Sequence, residues 1–267
     1  MKKINTIKHW GIALVIFLVC SCKKESATIT EDEVQTSAIR NNSLTNTSYG
    51  PLTDVGNGTM RTYITMTHKG VPVELGIQIS ESVLSGLSKQ SNETFVIPLD
   101  NKAQGVTSID HVEVNWVSQG GFSQVYSEPH FNFHFYTISQ NTQMAIPPYT
   151  TVPTGFDILP PAGIIPASYS RYPGGTARVG VSWIDQSSPE YNGQPFTHTY
   201  IYGSYNGKLS FYNPMVTFAF FLKDSTIDQA IPQPTLFAKS NVYYHTHYGI
   251  SKRDGNYYIS LTNFVMH

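Results

Sequence analysis

Residues 197–212 read THTYIYGSYNGKLSFY. Asn206-Gly207 is the strongest short hairpin signal in the chain. A two-residue type I′ turn needs positive φ at both central positions, which Asn and Gly tolerate. The flanks, Thr197–Tyr205 and Lys208–Tyr212, are rich in Thr, Ile, Tyr and Phe, residues that suit a pleated surface. The stretch predicts two antiparallel strands joined by a tight turn.

The same pattern recurs outward. Thr59–Thr67 (TMRTYITMT), a turn at His68-Lys69-Gly70 and a return over Val71–Ile79 predict a second hairpin. Phe95–Leu99, His111–Val117 (HVEVNWV), Phe131–Ile138 and Ala177–Ile184 read as further strands. So do Tyr243–Ile250 and Asn256–Phe264, around a turn at Asp254-Gly255. Two short helices are expected. One is Glu81–Leu87, capped by Ser80. The other is Pro214–Leu222, with Asn213 as N-cap and Pro214 at N1. Residues 147–173 hold 7 of the 16 prolines. Proline cannot donate to a ladder, so this segment is not sheet interior. Its Phe156, Ile158, Leu159, Ile164 and Ile165 favour a packed strap over a lid. The expected fold is mainly β (β-rich α+β): a single antiparallel barrel- or sandwich-like domain with one or two short helices.

Composition narrows the function classes. The chain has 267 residues and a formal net charge of −1, with 13% charged and 13% aromatic residues. An ordinary domain is about a quarter charged. Few charges beside many aromatics exclude disorder and coiled coil. No basic stripe is available for phosphates, so no nucleic-acid partner is expected.

Residues 1–22 read MKKINTIKHWGIALVIFLVCSC. Lys2, Lys3 and Lys8 precede a short apolar run, Gly11–Val19, and polar sequence follows at once. This is a secretory signal, too short for a stable membrane span. Ser21 before Cys22 resembles a bacterial lipobox, whose Cys is diacylated and becomes the new N-terminus. The alternative is an ordinary signal peptide cleaved nearby. On the lipoprotein reading residues 1–21 are removed and Cys22 carries lipid. Three lysines leave with no acid, so 14 basic against 18 acidic residues give a mature net charge of −4. Cys20 leaves too, which excludes an internal disulfide and a cysteine zinc site. The polar residues 22–48 form a tether, and the domain runs over 49–267. The expected location is the bacterial cell envelope, on the periplasmic or surface side of the outer membrane. The membrane is then a partner through the lipid anchor.

The histidines carry most of the chemical question. In Pro129–Tyr136 (PHFNFHFY), His130, Asn132 and His134 share one strand face and Phe131, Phe133 and Phe135 the other. The Phe face belongs in a core, and the polar face looks onto solvent or a polar cavity. A rise of about 3.3 Å per residue puts the Cα atoms of His130 and His134 roughly 13 Å apart, too far for one ion unless the rings reach toward each other. Asn132 between them is a poor transition-metal ligand. His245-Thr246-His247 offers a better pair, about 6.6 Å apart on one strand face. A divalent transition metal held by some of His130, His134, His245 and His247, with Glu113 or Glu128, is one reading. Hydrogen-bonded histidines on half-buried strands, with no cofactor, is the other. Glu113 is also a candidate acid or base. The hydrolase elbow, the P-loop and the dinucleotide fingerprint are absent.

Six segments taken together resemble a known family. They are Gly56–Arg61 (GNGTMR), Ile79–Leu87 (ISESVLSGL), His111–Trp116, Pro129–Tyr136, Pro195–Leu209 (PFTHTYIYGSYNGKL) and Pro214–Phe218 (PMVTF). In this order they resemble the bacterial domain-of-unknown-function family 5602, the TTHB-like domains, from about residue 50 to the end. The resemblance implies no established activity. It implies a His-x-Asp-x-His strand and a Gly-x-His-Trp segment, where a metal or acid–base site would be plausible. Here Asn132 stands at the Asp and Ser182 at the second motif's His. Such a joint loss fits positions that work as a unit, and equally two unrelated substitutions. Both residues, with Glu113, mark a candidate polar site.

Three functional readings follow. The first is a lipid-anchored, non-catalytic binding or assembly domain. The second is a metal-dependent, hydrolase-like enzyme on a histidine cluster. The third is a subunit that self-associates as a homo-oligomer through aromatic surface.

Overall fold

Alternating sequence turns into paired strands along almost the whole domain. The computed structural model describes residues 45–121 and 123–267, which fall in one compact unit. The first sheet holds β1 (Thr45–Tyr49), β2 (Thr53–Val55), β3 (Gly58–Thr67), β4 (Pro72–Ser80), β12 (Ile227–Ala230), β13 (Tyr243–Arg253) and β14 (Asn256–Met266). Its order is β1-β3-β4-β14-β13-β12, with β2 beside β3. The second sheet holds β5 (Glu93–Ile97), β6 (His111–Val117), β7 (His130–Tyr136), β8 (Tyr169–Arg171), β9 (Val181–Asp185), β10 (His198–Tyr205) and β11 (Lys208–Thr217). Its order is β5-β6-β7-β11-β10-β9-β8. Every pairing within these sheets is antiparallel. The sheets form a sandwich and not a closed barrel.

The core lies between the sheets, as period-two patterning requires. Ile64, Leu75, Ile77 and Ile259 from the first sheet meet Val112, Val114, Phe131, Phe133 and Phe135 from the second. All are fully buried. Each such side chain stabilises the fold by about 1.5–3 kcal/mol relative to exposure. A smaller apolar cluster, including Ile184, Ile201, Phe211 and Met215, lies on the outer face of the second sheet under covering loops.

The hairpin at residues 197–212 forms as read, with Asn206 at φ 49° and Gly207 at φ 73°. The Asp254-Gly255 turn forms in the same way. Three expectations are corrected. First, the helix expected over Pro214–Leu222 is strand up to Thr217, and only α3 (Phe218–Phe221) is helical. Its N-cap is Thr217, whose Oγ1 accepts from Phe220 N–H, and not Asn213. Pro214 stays in the strand because Asn213 Oδ1 reaches across to accept the N–H of Phe133 at 2.9 Å. The ladder bonds interrupted around the proline are thereby partly replaced. Second, Ser80 does not cap the following 3-10 turn, Glu81–Ser85; its Oγ accepts from Thr59 N–H. Third, residues 45–48 belong to the sheet and not to the tether. Thr47 and Thr65 hydroxyls bond across strands at 2.8 Å, and Ser48 Oγ donates to Asp100 at 2.9 Å. Cys22 and the rest of the tether lie outside the described residues.

The proline-rich segment contains α2 (Thr154–Asp157) and the edge strand β8; α1 (Gln140–Met144) precedes it. Phe156, Ile164 and Ile165 are buried, whereas Ile158 and Leu159 are exposed. The segment ties to the hairpin tip, where Asn206 N–H donates to Gly155 O and Gly207 N–H to Ile158 O.

Candidate functional site

The polar face of β7 is a floor, and the register of its neighbours decides what stands on it. Glu113 of β6 lies directly opposite His134, and Asn115 opposite Asn132. From the other side β11 places Met215 opposite Asn132. Above this floor is a cavity of about 800 Å³, lined by Glu113, Asn115, His130, Asn132, His134, Ser182 and Asn213 among others. Residues 120–121 and 176–179 form part of its wall. Five sequence candidates, Glu113, His130, Asn132, His134 and Ser182, therefore meet in one place.

A backbone donor fixes the orientation of the amides. Phe133 N–H can only donate, so Asn213 must present Oδ1 to it. Asn213 Nδ2 then donates to Asn132 Oδ1 at 3.1 Å. The relay leaves the NH2 of Asn132 as its free end on the half-buried wall of the cavity. An aspartate at 132 would accept the same bond but would offer no donor.

The ionisable groups are held toward their neutral forms. Glu113 is buried, and that burial pushes its carboxyl above the ordinary range. Bonds from Asn115 Nδ2 (3.2 Å) and Gln143 Nε2 (3.3 Å) pull partly the other way. Charges on His111 and Arg178 do the same. His134 is 5% exposed, and burial takes its pKa down to about 3. Its Nδ1 has no hydrogen-bond partner among the described residues. Phe211 packs edge-on against its ring at 4.7 Å, and Tyr136 stacks at 5.5 Å. His130 is also lowered by burial; its Nδ1–H donates to Glu128 O at 2.6 Å, which leaves Nε2 bare.

Sequence patterning did not single out Arg178, Gln143 or Asn213 as site residues. Arg178 lines the cavity with its backbone at φ 62°, a left-handed conformation that a non-glycine residue adopts only under constraint. The constraint is visible: Arg178 N–H donates to Ile146 O at 3.0 Å. Its carbonyl accepts from Gln143 Nε2 at 2.8 Å and Tyr136 OH at 3.2 Å.

His245 and His247 do not join the site. His245 lies in the core between the sheets, where its Nε2 and the Tyr200 hydroxyl are 2.5 Å apart. It packs on Tyr212 at 4.7 Å. Tyr200 and Tyr212 belong to the inter-sheet face, opposite the face that carries His134. His247 does not even share a face with His245. The pairing of β13 and β14 skips Thr246 and Asn263, and Asn263 has φ 54°. This irregularity breaks the period-two rule, so His245 meets Phe264 inside while His247 pairs with Thr262 outside. Glu128 is exposed and offers only its backbone carbonyl to His130. Among the described residues no group of three or more His, Cys, Asp or Glu is placed to hold a metal ion.

Scans against protein-family models, curated proteins and solved structures find no match for the chain.

Proposed function

We propose that the chain is a lipid-anchored protein of the bacterial envelope whose sandwich binds a small, uncharged, hydroxyl-rich ligand in the outer-face cleft, without catalysis. The observation that carries this is the Asn213–Asn132 relay, whose free NH2 end lines the cavity together with the neutral ring of His134. Amides and neutral imidazoles offer both donors and acceptors without the desolvation cost of a fixed charge. The cavity volume falls within the range of small-molecule sites. The stretch Pro129–Tyr136, on which the resemblance to family 5602 in part rests, supplies the floor of this cleft through β7. The metal-enzyme alternative loses its main support with the separation of His245 and His247.

Thermal-shift titration with neutral mono- and disaccharides tests the proposal. A saturable stabilisation is expected, and Asn132→Ala with His134→Ala should abolish it. Equal shifts in the variant and the parent would sink the idea.

A further inference from the structure

We infer that a second site, sharing no residue with the polar cleft, takes a small amphiphile that joins an apolar chain to one anionic group. It is a cavity of about 570 Å³ at the end of the sandwich where β11 and β13 both begin. Ile164 of the proline-rich strap, Leu209, Leu236 and Phe237 give it an apolar body. Lys208 and Lys239 also line it, and none of its lining residues is acidic.

Two features make this a site rather than a gap. The lysines lack carboxylate partners: no ion pair among the described residues includes either. Lys239 Nζ reaches only a backbone carbonyl, that of Ser108, at 3.4 Å. Two unpaired cations beside apolar walls favour a ligand with both characters, because the apolar part is buried while the anion is drawn to the cationic side chains that line the same cavity. The backbone that carries the lysines is also fixed in advance. The hydroxyl of Tyr244 accepts from Lys239 N–H at 2.9 Å and donates to Lys239 O at 3.1 Å. Lys208 follows the Asn206-Gly207 turn and pairs with Tyr205. Such fixation lowers the entropy that binding must overcome.

Calorimetric titration of decanoate into the purified protein, beside 1-decanol as the neutral counterpart, tests the inference. Saturable binding of decanoate near one equivalent is expected. Lys208→Ala/Lys239→Ala should weaken it at least tenfold and leave the decanol isotherm unchanged. Leu236→Asp changes an exposed wall residue, so the fold is spared. It should weaken decanoate binding as well. Decanoate affinity unchanged in the double-lysine variant, or no saturable binding, would overturn the proposal.

Discussion

Glu113 and His134 face one another across β6 and β7, and burial acts on them in opposite senses. It raises the carboxyl and lowers the imidazole, so each is driven toward neutrality. An unfolded carboxyl ionises above its ordinary value, whereas the folded one holds its proton further up. Glu113 therefore opposes folding as pH rises above about 4.5. Glu113→Gln should lessen the loss of stability between pH 4 and pH 8 that the raised carboxyl imposes. Chemical denaturation at the two pH values checks this. The histidines work the other way. His134 and His245 both resist protonation until about pH 3, while an unfolded histidine accepts its proton near 6.5. Between those values the unfolded chain binds more protons, so stability falls as pH falls. Each group contributes up to about 1.4 kcal/mol per pH unit in that window. The urea midpoint should drop steadily from pH 6.5 toward 4, and His134→Gln should flatten the slope. A slope identical to the parent's would contradict a buried, neutral His134. Tyr200→Phe leaves the buried His245 Nε2 without its partner and should cost about 1–3 kcal/mol in the same assay.

Among the elements, β11 teaches most about what a sequence carries. Asn213-Pro214 is a sound local signal for a helix start, and the chain overrides it. The deciding partner, Phe133 N–H, lies eighty residues earlier, so no window around Pro214 contains the information. Asn213→Ala should leave that N–H buried and unpaired, lowering stability by about 1–3 kcal/mol in urea unfolding. His245 and His247 fail for a related reason. Period two holds only on a regular strand, and the irregularity lies opposite them at Asn263. Where strands are regular, the reading succeeds. The alternation in PHFNFHFY was enough to put His130, Asn132 and His134 on one face, and that in HVEVNWV to set Glu113 apart from Val112 and Val114; only the register of β6 on β7 brings Glu113 to His134. Arg178 and Gln143 come from covering segments with no period, so their arrival at the cleft was not legible. β1 escaped notice because TNTSY has the composition of a tether, and only its partner β3 makes it a strand.

At the scale of the whole molecule, the proposed anchor and the proposed cleft are separable. Cys22→Ser should release the protein from membranes while sugar-induced stabilisation of the sandwich stays the same. Fractionation and thermal shift on one preparation check both, and membrane retention of the variant would contradict lipidation at Cys22. No helix among the described residues is long and apolar enough to cross a membrane. The first sheet adds a different dependence. β14, which follows all the other described strands in sequence, lies between β4 and β13, with Ile259 opposite Ile77. Deleting residues 256–267 removes the middle of that sheet and should abolish cooperative unfolding altogether, as near-ultraviolet dichroism would register.

That topology also sets a clock. β3 and β4 emerge early in synthesis, yet the strand that joins them to β13 is made only after every strand of the second sheet. Pairings across such a span close late and slowly. Until residues 256–266 are made, no strand joins β4 to β13 and the first sheet stays in two parts. On the proposed export route, such a divided first sheet favours crossing the inner membrane before the sandwich closes.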